Sequence, residues 1–113
     1  MADIRFSPDA IDDLKQTRKY IAEELCSEQA ADNTISKIVK NIRILSTFPE
    51  SGAPLSSVAD IVTDYRFLVC GNYMAFYRYE RNVVYIVRVL YGRRDFMRIL
   101  FSETPEGENP ITQ

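Results

Sequence analysis

The sequence contains no histidine, and its two cysteines, Cys26 and Cys70, lie far apart and form no CxxC motif. The usual zinc-binding sets need histidine or paired cysteines, so we expect no bound metal, and no motif indicates another cofactor. The same absence removes the side chain that most often serves as a general base near neutral pH. Isolated cysteines of a cytoplasmic protein are typically reduced, and we expect both thiols to be buried.

Long apolar runs are also missing from the sequence. Residues 1–5 are not followed by the apolar stretch of a signal peptide, and no segment is long enough to cross a membrane. The 113 residues, of which 46% are hydrophobic and 27% charged, fit one domain with a modest core. We therefore expect a cytoplasmic protein that makes no contact with a membrane.

Charge is distributed unevenly, although the net charge is only −2. Residues 1–36 carry eight acidic and four basic side chains. Residues 66–98 carry seven arginines and no lysine, against the two acids Glu80 and Asp95, which gives this segment a net charge of +5. Guanidinium groups suit fixed contacts to phosphate or carboxylate, so the segment can attract an anionic partner. The alternative is that these arginines pair with the acidic amino-terminal part of the same chain.

The first half of the chain predicts a short strand, at residues 4–6, followed by two helices. Ser7 and Pro8 form a typical helix start, and Ser27 can cap a second helix. Apolar residues recur at helical spacing in both segments. They are Ile11, Leu14, Ile21 and Leu25 in the first helix and Ala31, Ile35, Ile38, Ile42 and Leu45 in the second. Because the link between the helices is short, we expect an antiparallel hairpin.

The second half of the chain predicts strands. After a loop at residues 49–60, aromatic and β-branched residues dominate three runs, at 65–69, 73–79 and 83–90. The links between these runs are short enough to require antiparallel pairing, so the runs form a three-stranded meander. A short helical turn is expected within residues 93–101, and the acidic residues 102–113 are expected to form a mobile tail.

The predicted fold is α+β and consists of one domain, residues 1–101. Its elements are an amino-terminal strand at a sheet edge, a helical hairpin, the meander and a short carboxyl-terminal helical turn. The hairpin covers one face of the sheet, because its apolar stripes must be buried against another element. The other face of so small a sheet stays available to solvent or to a partner.

The face that carries Arg66 depends on the first turn of the meander. A two-residue turn at residues 71–72 places Arg66 on the face of Tyr77. A three-residue turn at residues 70–72 places it on the face of Phe76. A shift of one residue in register moves every side chain to the opposite face, and the sequence leaves both alternatives open.

Residues 65–73, 76–78 and 87–95, in this order and spacing, resemble the RelE/ParE superfamily, the toxins of bacterial type II toxin–antitoxin systems, also described as plasmid stabilisation proteins. The most specific part is the valine–leucine pair followed by Tyr-Gly-Arg-Arg-Asp at 91–95. The helix start at residues 6–10 is also typical. The resemblance implies a toxin that inhibits growth and a cognate antitoxin that neutralises it, as a homodimer or a toxin–antitoxin hetero-oligomer.

Two functions occur among proteins of this superfamily. RelE-like members cut mRNA on the ribosome without a metal, whereas ParE-like members bind and inhibit DNA gyrase. Cleavage without a metal needs fixed cations at the phosphate and a group that transfers protons. Arg66 and either Arg93 or Arg94 match basic positions of the nucleases. Leu68 and Met74 stand where further basic residues are common.

The end of the chain also departs from the nuclease pattern. Where the nucleases carry a tyrosine or histidine, this chain has the apolar residues Phe96, Met97, Ile99, Leu100 and Phe101. Tyr91 stands where many ParE-like chains carry histidine, and tyrosine is a poor base at its ordinary pKa. The resemblance therefore favours a ParE-like inhibitor of gyrase. The alternatives are a RelE-like nuclease that uses Arg66, Arg93 and Arg94, and a degenerate member that only binds its partner.

Six residues are expected to contact the target or the antitoxin: Arg66, Arg88, Tyr91, Arg93, Arg94 and Asp95. Two of them, Arg88 and Asp95, also have a structural explanation. Arg88 can pair with Asp95 or with an acidic residue near the amino terminus. Asp95 can hold Arg93 or Arg94 in place, or cap the last helical turn.

Overall fold

The computed structural model describes residues 1–58, 62–92 and 96–101. The strands are β1 (Asp3–Phe6), β2 (Ala53–Pro54), β3 (Arg66–Cys70), β4 (Tyr73–Glu80) and β5 (Val83–Tyr91). The helices are α1 (Pro8–Glu24), α2 (Glu28–Arg43) and α3 (Phe96–Phe101), with 3-10 turns at Ile44–Ser46 and Leu55–Ser57. Within these ranges, no helix combines the length and the apolar character needed to cross a membrane. The expected tail, residues 102–113, lies outside the described residues.

The five strands form one mixed sheet in the order β1-β5-β4-β3-β2. β3, β4 and β5 are the predicted antiparallel meander, and β1 lies at the edge, parallel to β5. The predicted α+β fold is therefore confirmed. The interpretation of residues 49–60 as a loop alone is wrong in one detail, because β2 pairs with β3. Pro54 has no N–H to donate, which suits a short strand at an edge.

Both helices of the hairpin begin at the predicted serines. Ser7 Oγ accepts a hydrogen bond from the Ala10 N–H at 2.9 Å, and Ser27 Oγ accepts one from the Ala30 N–H at 3.1 Å. Ser7 Oγ also donates to the Val87 carbonyl at 2.7 Å. The first cap thus fixes the start of α1 against β5.

The stripe through which α1 packs is narrower than the sequence predicts. Ile11 is 44% exposed and Leu25 is 63% exposed, although both were expected on the buried side. Ala10 is fully buried instead, and Leu14 packs against the core. The sheet under the hairpin is small, so Ile11 and Leu25, at the outer parts of the apolar stripe, are not covered by it.

The two cysteines lie in different environments. Cys70, at the end of β3, is buried, and its burial raises the pKa of the thiol to about 11. Cys26 is exposed in the link between α1 and α2, where its φ is 49°. The prediction that both thiols are buried is wrong for Cys26, because this link stands at the surface.

The first turn of the meander consists of residues 71–72. Gly71 has a φ of 63°, which fits the first central position of a two-residue hairpin turn. Arg66 consequently pairs with Tyr77, so the structure adopts the first of the two register alternatives. Directly opposed residues share a face, and Arg66 therefore lies on the face that the helical hairpin covers.

The two faces of the sheet are covered by different elements. The core under the hairpin includes Ala10, Ile38, Ile42, Leu45, Ala75, Tyr77, Val84, Ile86 and Val89. On the other face Leu55, Phe76 and Leu90 are buried, and the side chains of α3 pack against them. The expectation that this second face stays available is therefore wrong where α3 lies, because the apolar residues of α3 cover it. Val69 and Tyr85, on the same face, remain 60% and 43% exposed.

Candidate interaction surface

The edge of β5 beyond β1 is occupied by α1. β1 pairs with β5 only as far as Ile86. Next along the strand, Val87 is the extra residue of a β-bulge, because Tyr77 pairs with Ile86 and Phe76 with Arg88. The Ser7 N–H donates to the Ile86 carbonyl at 2.9 Å. Backbone groups that a neighbouring strand would otherwise bind are thus held by the start of α1.

Asp13, six residues after Ser7, continues this contact further along α1. Its carboxylate accepts two hydrogen bonds from Arg88, from Nε and Nη2, both at 2.7 Å, and a third from the Val89 N–H at 3.0 Å. The side chains of Asp13 and Arg88 are 11% and 25% exposed. Hydrogen bonding to Asp13 raises the pKa of Arg88. We call the interactions of Ser7 and Asp13 with residues 86–89 the α1–β5 contact.

Arg66 and Tyr77 form a second contact, with the loop near the β2 edge of the sheet. Arg66 Nη1 donates to the carbonyls of Glu50, at 3.2 Å, and Gly52, at 2.6 Å. The Tyr77 hydroxyl accepts from the Gly52 N–H at 3.0 Å and donates to the Pro49 carbonyl at 2.8 Å. We call this the loop–β3 contact, between residues 49–54 and the strands. This contact gives Arg66 a structural role on β3, because its guanidinium holds two carbonyls of the loop.

Gly52 has no room for a side chain within the loop–β3 contact. A Cβ atom built on it would lie 2.6 Å from the Tyr77 hydroxyl and 2.7 Å from the Phe67 carbonyl. Tyr77 is fully buried, and this burial raises the pKa of its hydroxyl. The loop approaches the sheet this closely because glycine is the residue at this position.

Arg78 and Arg88, two of the seven arginines of residues 66–98, are paired with acidic residues of the same chain. Arg78 binds Asp64 through Nε and Nη2, at 3.1 and 2.8 Å, and this hydrogen bonding lowers the pKa of Asp64. Arg88 forms an ion pair with Asp13. Of the two kinds of partner that the sequence allows for Arg88, the structure therefore shows the acidic residue near the amino terminus. Within the described part of the 66–98 segment, these two ion pairs balance two of the positive charges that the sequence counts.

An open groove of about 590 Å³ lies between α1 and the end of β5, and we call it the α1–β5 groove. Its walls are formed by Asp12, Asp13, Gln16, Thr17, Tyr20, Tyr73, Arg88, Val89, Leu90 and Tyr91. The rings of Tyr73 and Tyr91 meet edge-on, with centroids 5.4 Å apart. Burial, and then the neighbouring hydroxyls of Tyr91 and Tyr20, raise the pKa of Tyr73. The three tyrosines thus form one cluster at one end of the groove.

The structure brings together two of the six predicted contact residues. Arg88 and Tyr91 line the α1–β5 groove. Arg66 belongs to the loop–β3 contact, two strands away from β5. Arg93, Arg94 and Asp95 lie outside the described residues.

Sequence reasoning missed the contribution of α1 to this surface. Asp12, Gln16 and Tyr20 follow one another at intervals of four residues, which places them on one side of the helix. A polar and aromatic stripe of this kind is a detectable signal, but it does not indicate which strand it faces. Among the described residues, no group of three or more Cys, Asp and Glu side chains is arranged to hold a metal.

Comparison with known proteins gives one match to a family model and matches to solved structures. The model describes the ParE toxin of the type II toxin–antitoxin system, parDE, and it matches residues 4–96. A chain from the chromosomal ParDE TA system of P. aeruginosa is 20% identical, with a TM-score of 0.68, and the match covers 80% of this chain and 96% of that one. YafQ from E. coli strain BL21(DE3) is 16% identical, with a TM-score of 0.44, over 90% of this chain and 100% of that one. No curated protein matches the sequence.

Proposed function

Because this chain belongs to the family of the ParE toxin of type II toxin–antitoxin systems, we propose that it inhibits bacterial growth by binding DNA gyrase in the cytoplasm. The observation that carries this proposal is the extent of the family match. Residues 4–96 include both helices of the hairpin, all of the sheet except Asp3 and every residue of the α1–β5 groove. The match thus covers most of the expected domain, residues 1–101, rather than a single motif.

The hydrogen bonding of the arginines supports binding rather than RNA cleavage. A nuclease of this kind needs cations directed at a phosphate. Arg66 Nη1 is engaged by two loop carbonyls, and Arg88 is held by Asp13. Leu68 packs against the core under the hairpin, and Met74 packs against the core on the other face, so neither position offers a polar group. These contacts favour the gyrase inhibitor over the RelE-like nuclease.

The proposed partner is a cognate antitoxin, encoded by a reading frame that adjoins this one. The structural match to a ParDE TA system supports a partner of this type. The proposed assembly is a toxin–antitoxin hetero-oligomer, with a homodimer of this chain as the alternative.

Gyrase supercoiling assays with the antitoxin-free protein test the proposal. We expect the protein to block supercoiling and to leave mRNA intact on programmed ribosomes. Arg93 and Arg94 are the proposed target contacts, so replacing both with Ala is expected to relieve growth inhibition. The matched control replaces Lys40 and Arg43 with Ala, because both are exposed cations on α2. A circular dichroism spectrum for each variant establishes that the fold survives.

Two results would contradict the gyrase proposal. Ribosome-dependent cleavage that a folded Arg66→Ala variant loses would make the chain a RelE-like nuclease. A stable complex with the antitoxin, together with no effect on either gyrase or ribosomes, would make it a degenerate member that only binds its partner.

A further inference from the structure

The shape of the α1–β5 groove suits a short extended segment. Asp12 lies near one end and Tyr20 near the other, eight residues further along α1. At the helical rise of 1.5 Å per residue, this distance is about 12 Å. An extended chain advances about 3.3 Å per residue, so roughly four residues reach from one end to the other.

Negative charge is in excess at the Asp12 end of the groove. The charges of Asp13, Asp9 and Asp12 all act on the single guanidinium of Arg88. Asp13 is bound to Arg88, whereas Asp12 Oδ2 accepts a hydrogen bond from the neutral amide of Gln16 at 2.6 Å. Asp12 is exposed, and among the described residues no cation is bonded to its carboxylate. This end therefore attracts a basic side chain.

Aromatic surface is exposed at the other end of the groove. Tyr20 is 64% exposed and Tyr91 is 52% exposed, with Tyr73 half-buried between the helix and the strand. Tyrosine offers a large and rigid contact area at a low cost in conformational entropy, and it is enriched at the centres of protein interfaces. Three adjacent tyrosines on one surface fit an apolar or aromatic side chain of a protein partner.

Strand addition to β5 is blocked in this part of the edge. The Val89 N–H is already bound by Asp13, and the carbonyls of Ile86 and Val87 are bound by Ser7. A segment that enters the groove is therefore recognised through its side chains, by the acidic end and the tyrosine end, rather than by backbone pairing.

We propose that the α1–β5 groove binds an extended segment of the antitoxin, which presents a lysine or arginine to Asp12 and an apolar or aromatic residue to Tyr20 and Tyr91. This inference rests on the proposed function, because it assumes that the partner is an antitoxin. It reverses the charge expected from composition. Arg78 and Arg88 are already bonded to acids of this chain, whereas Asp12, on α1, has no bonded cation among the described residues.

The test measures the affinity of groove variants for the product of the adjoining reading frame, purified after co-expression. We expect Asp12→Lys to weaken the complex at least about tenfold, and Tyr20→Ala and Tyr91→Ala to weaken it by about tenfold each. Glu24→Lys is the matched control, since Glu24 is an exposed acid of the same helix outside the groove. Its affinity is expected to stay within about twofold of the unchanged protein, because charges away from an interface contribute little.

A charge exchange adds a readout that loss of folding cannot mimic. Replacing the basic residue of the partner with Glu is expected to weaken binding to the unchanged protein and to restore binding to Asp12→Lys. Undiminished affinity of Asp12→Lys, Tyr20→Ala and Tyr91→Ala would overturn the groove assignment while the toxin–antitoxin complex stands. If the unchanged protein forms no complex at all, the proposed function fails first, and the groove assignment fails with it.

Discussion

The α1–β5 contact and the loop–β3 contact hold the two sides of the sheet by different chemistry. At the first, a carboxylate and a guanidinium meet in a largely buried pair, and the carboxylate also binds a backbone N–H. At the second, the Arg66 guanidinium and the Tyr77 hydroxyl bind backbone groups of the loop, with no carboxylate involved, around a glycine that admits no side chain. The first contact therefore depends on charge being balanced, and the second depends on space.

The largest expected effect comes from breaking the charged contact. Asp13→Ala leaves Arg88 and the Val89 N–H without their acceptor, and we expect the free energy of unfolding to fall by about 3–5 kcal/mol. Asp32→Ala is the matched control, because Asp32 also binds an arginine, Arg18, but its side chain is 62% exposed. Exposed pairs contribute about 0–1 kcal/mol, so urea unfolding of the two variants measures the difference. Equal losses would contradict this account of the pair.

The second effect comes from filling the space in the loop–β3 contact. Gly52→Ala places a methyl group against Tyr77 and the Phe67 carbonyl, which must move apart. We expect a loss of about 1–3 kcal/mol, the usual cost of overpacking. Ser51→Ala, at the exposed neighbouring position, should stay within about 0.5 kcal/mol. A Gly52→Ala variant as stable as Ser51→Ala would show that the loop yields freely.

A smaller effect comes from removing one hydroxyl from the same contact. Tyr77→Phe leaves the Gly52 N–H and the Pro49 carbonyl without their partner. We expect a loss of about 1–2 kcal/mol, because unpaired buried polar groups lose their hydration without compensation. Tyr85→Phe serves as the control, since Tyr85 is 43% exposed. Thermal unfolding of both variants is the measurement, and matching melting temperatures would count against the hydrogen bonds.

Alkaline pH is expected to weaken the loop–β3 contact selectively. Burial raises the pKa of Tyr77 above its ordinary 10.0, so the folded protein keeps this proton when the unfolded chain releases it. The stabilisation is thus complete below pH 10 and is lost as the pH rises through the folded pKa. Tyr77→Phe should show a shallower loss of stability above pH 10 than the unchanged protein. If stability falls equally steeply with pH in both proteins, Tyr77 is not the group responsible. The loss that remains in Tyr77→Phe includes the ionisation of Cys70, whose pKa is raised to about 11.

The smallest effect concerns a turn that belongs to neither contact. Arg81 and Asn82 link β4 to β5, and both have positive φ, 53° and 63°. Arginine is strained in this conformation, whereas asparagine tolerates it. Arg81→Asn is therefore expected to raise the free energy of unfolding by up to about 1 kcal/mol. The ion pair of Arg81 with Glu80, at 3.9 Å on the surface, contributes too little to reverse the sign.

The sequence by itself determined the order and type of the elements, apart from the two-residue strand β2. The serine caps, the helical spacing of apolar residues and the β-branched runs separated by turns are local signals, and each acts within a few residues. The same local signals carried the resemblance to the RelE/ParE superfamily, which the family match confirms. For the turn between β3 and β4, the local sequence left only two registers, and the structure adopts one of them.

Tertiary structure alone decided which side chains meet. Asp13 and Arg88 are far apart in the chain, and no spacing rule selects that acid from the several on α1. Arg66 binds loop carbonyls because β2 and the loop return to β3, and Asp12 and Tyr20 line one groove with Tyr91 because α1 lies against the end of β5. The position of α3 is also decided by tertiary structure, because its apolar residues alone do not indicate which face of the sheet they cover. The partners of a charged or aromatic side chain depend on packing between distant segments, and a one-dimensional pattern carries no information about that geometry.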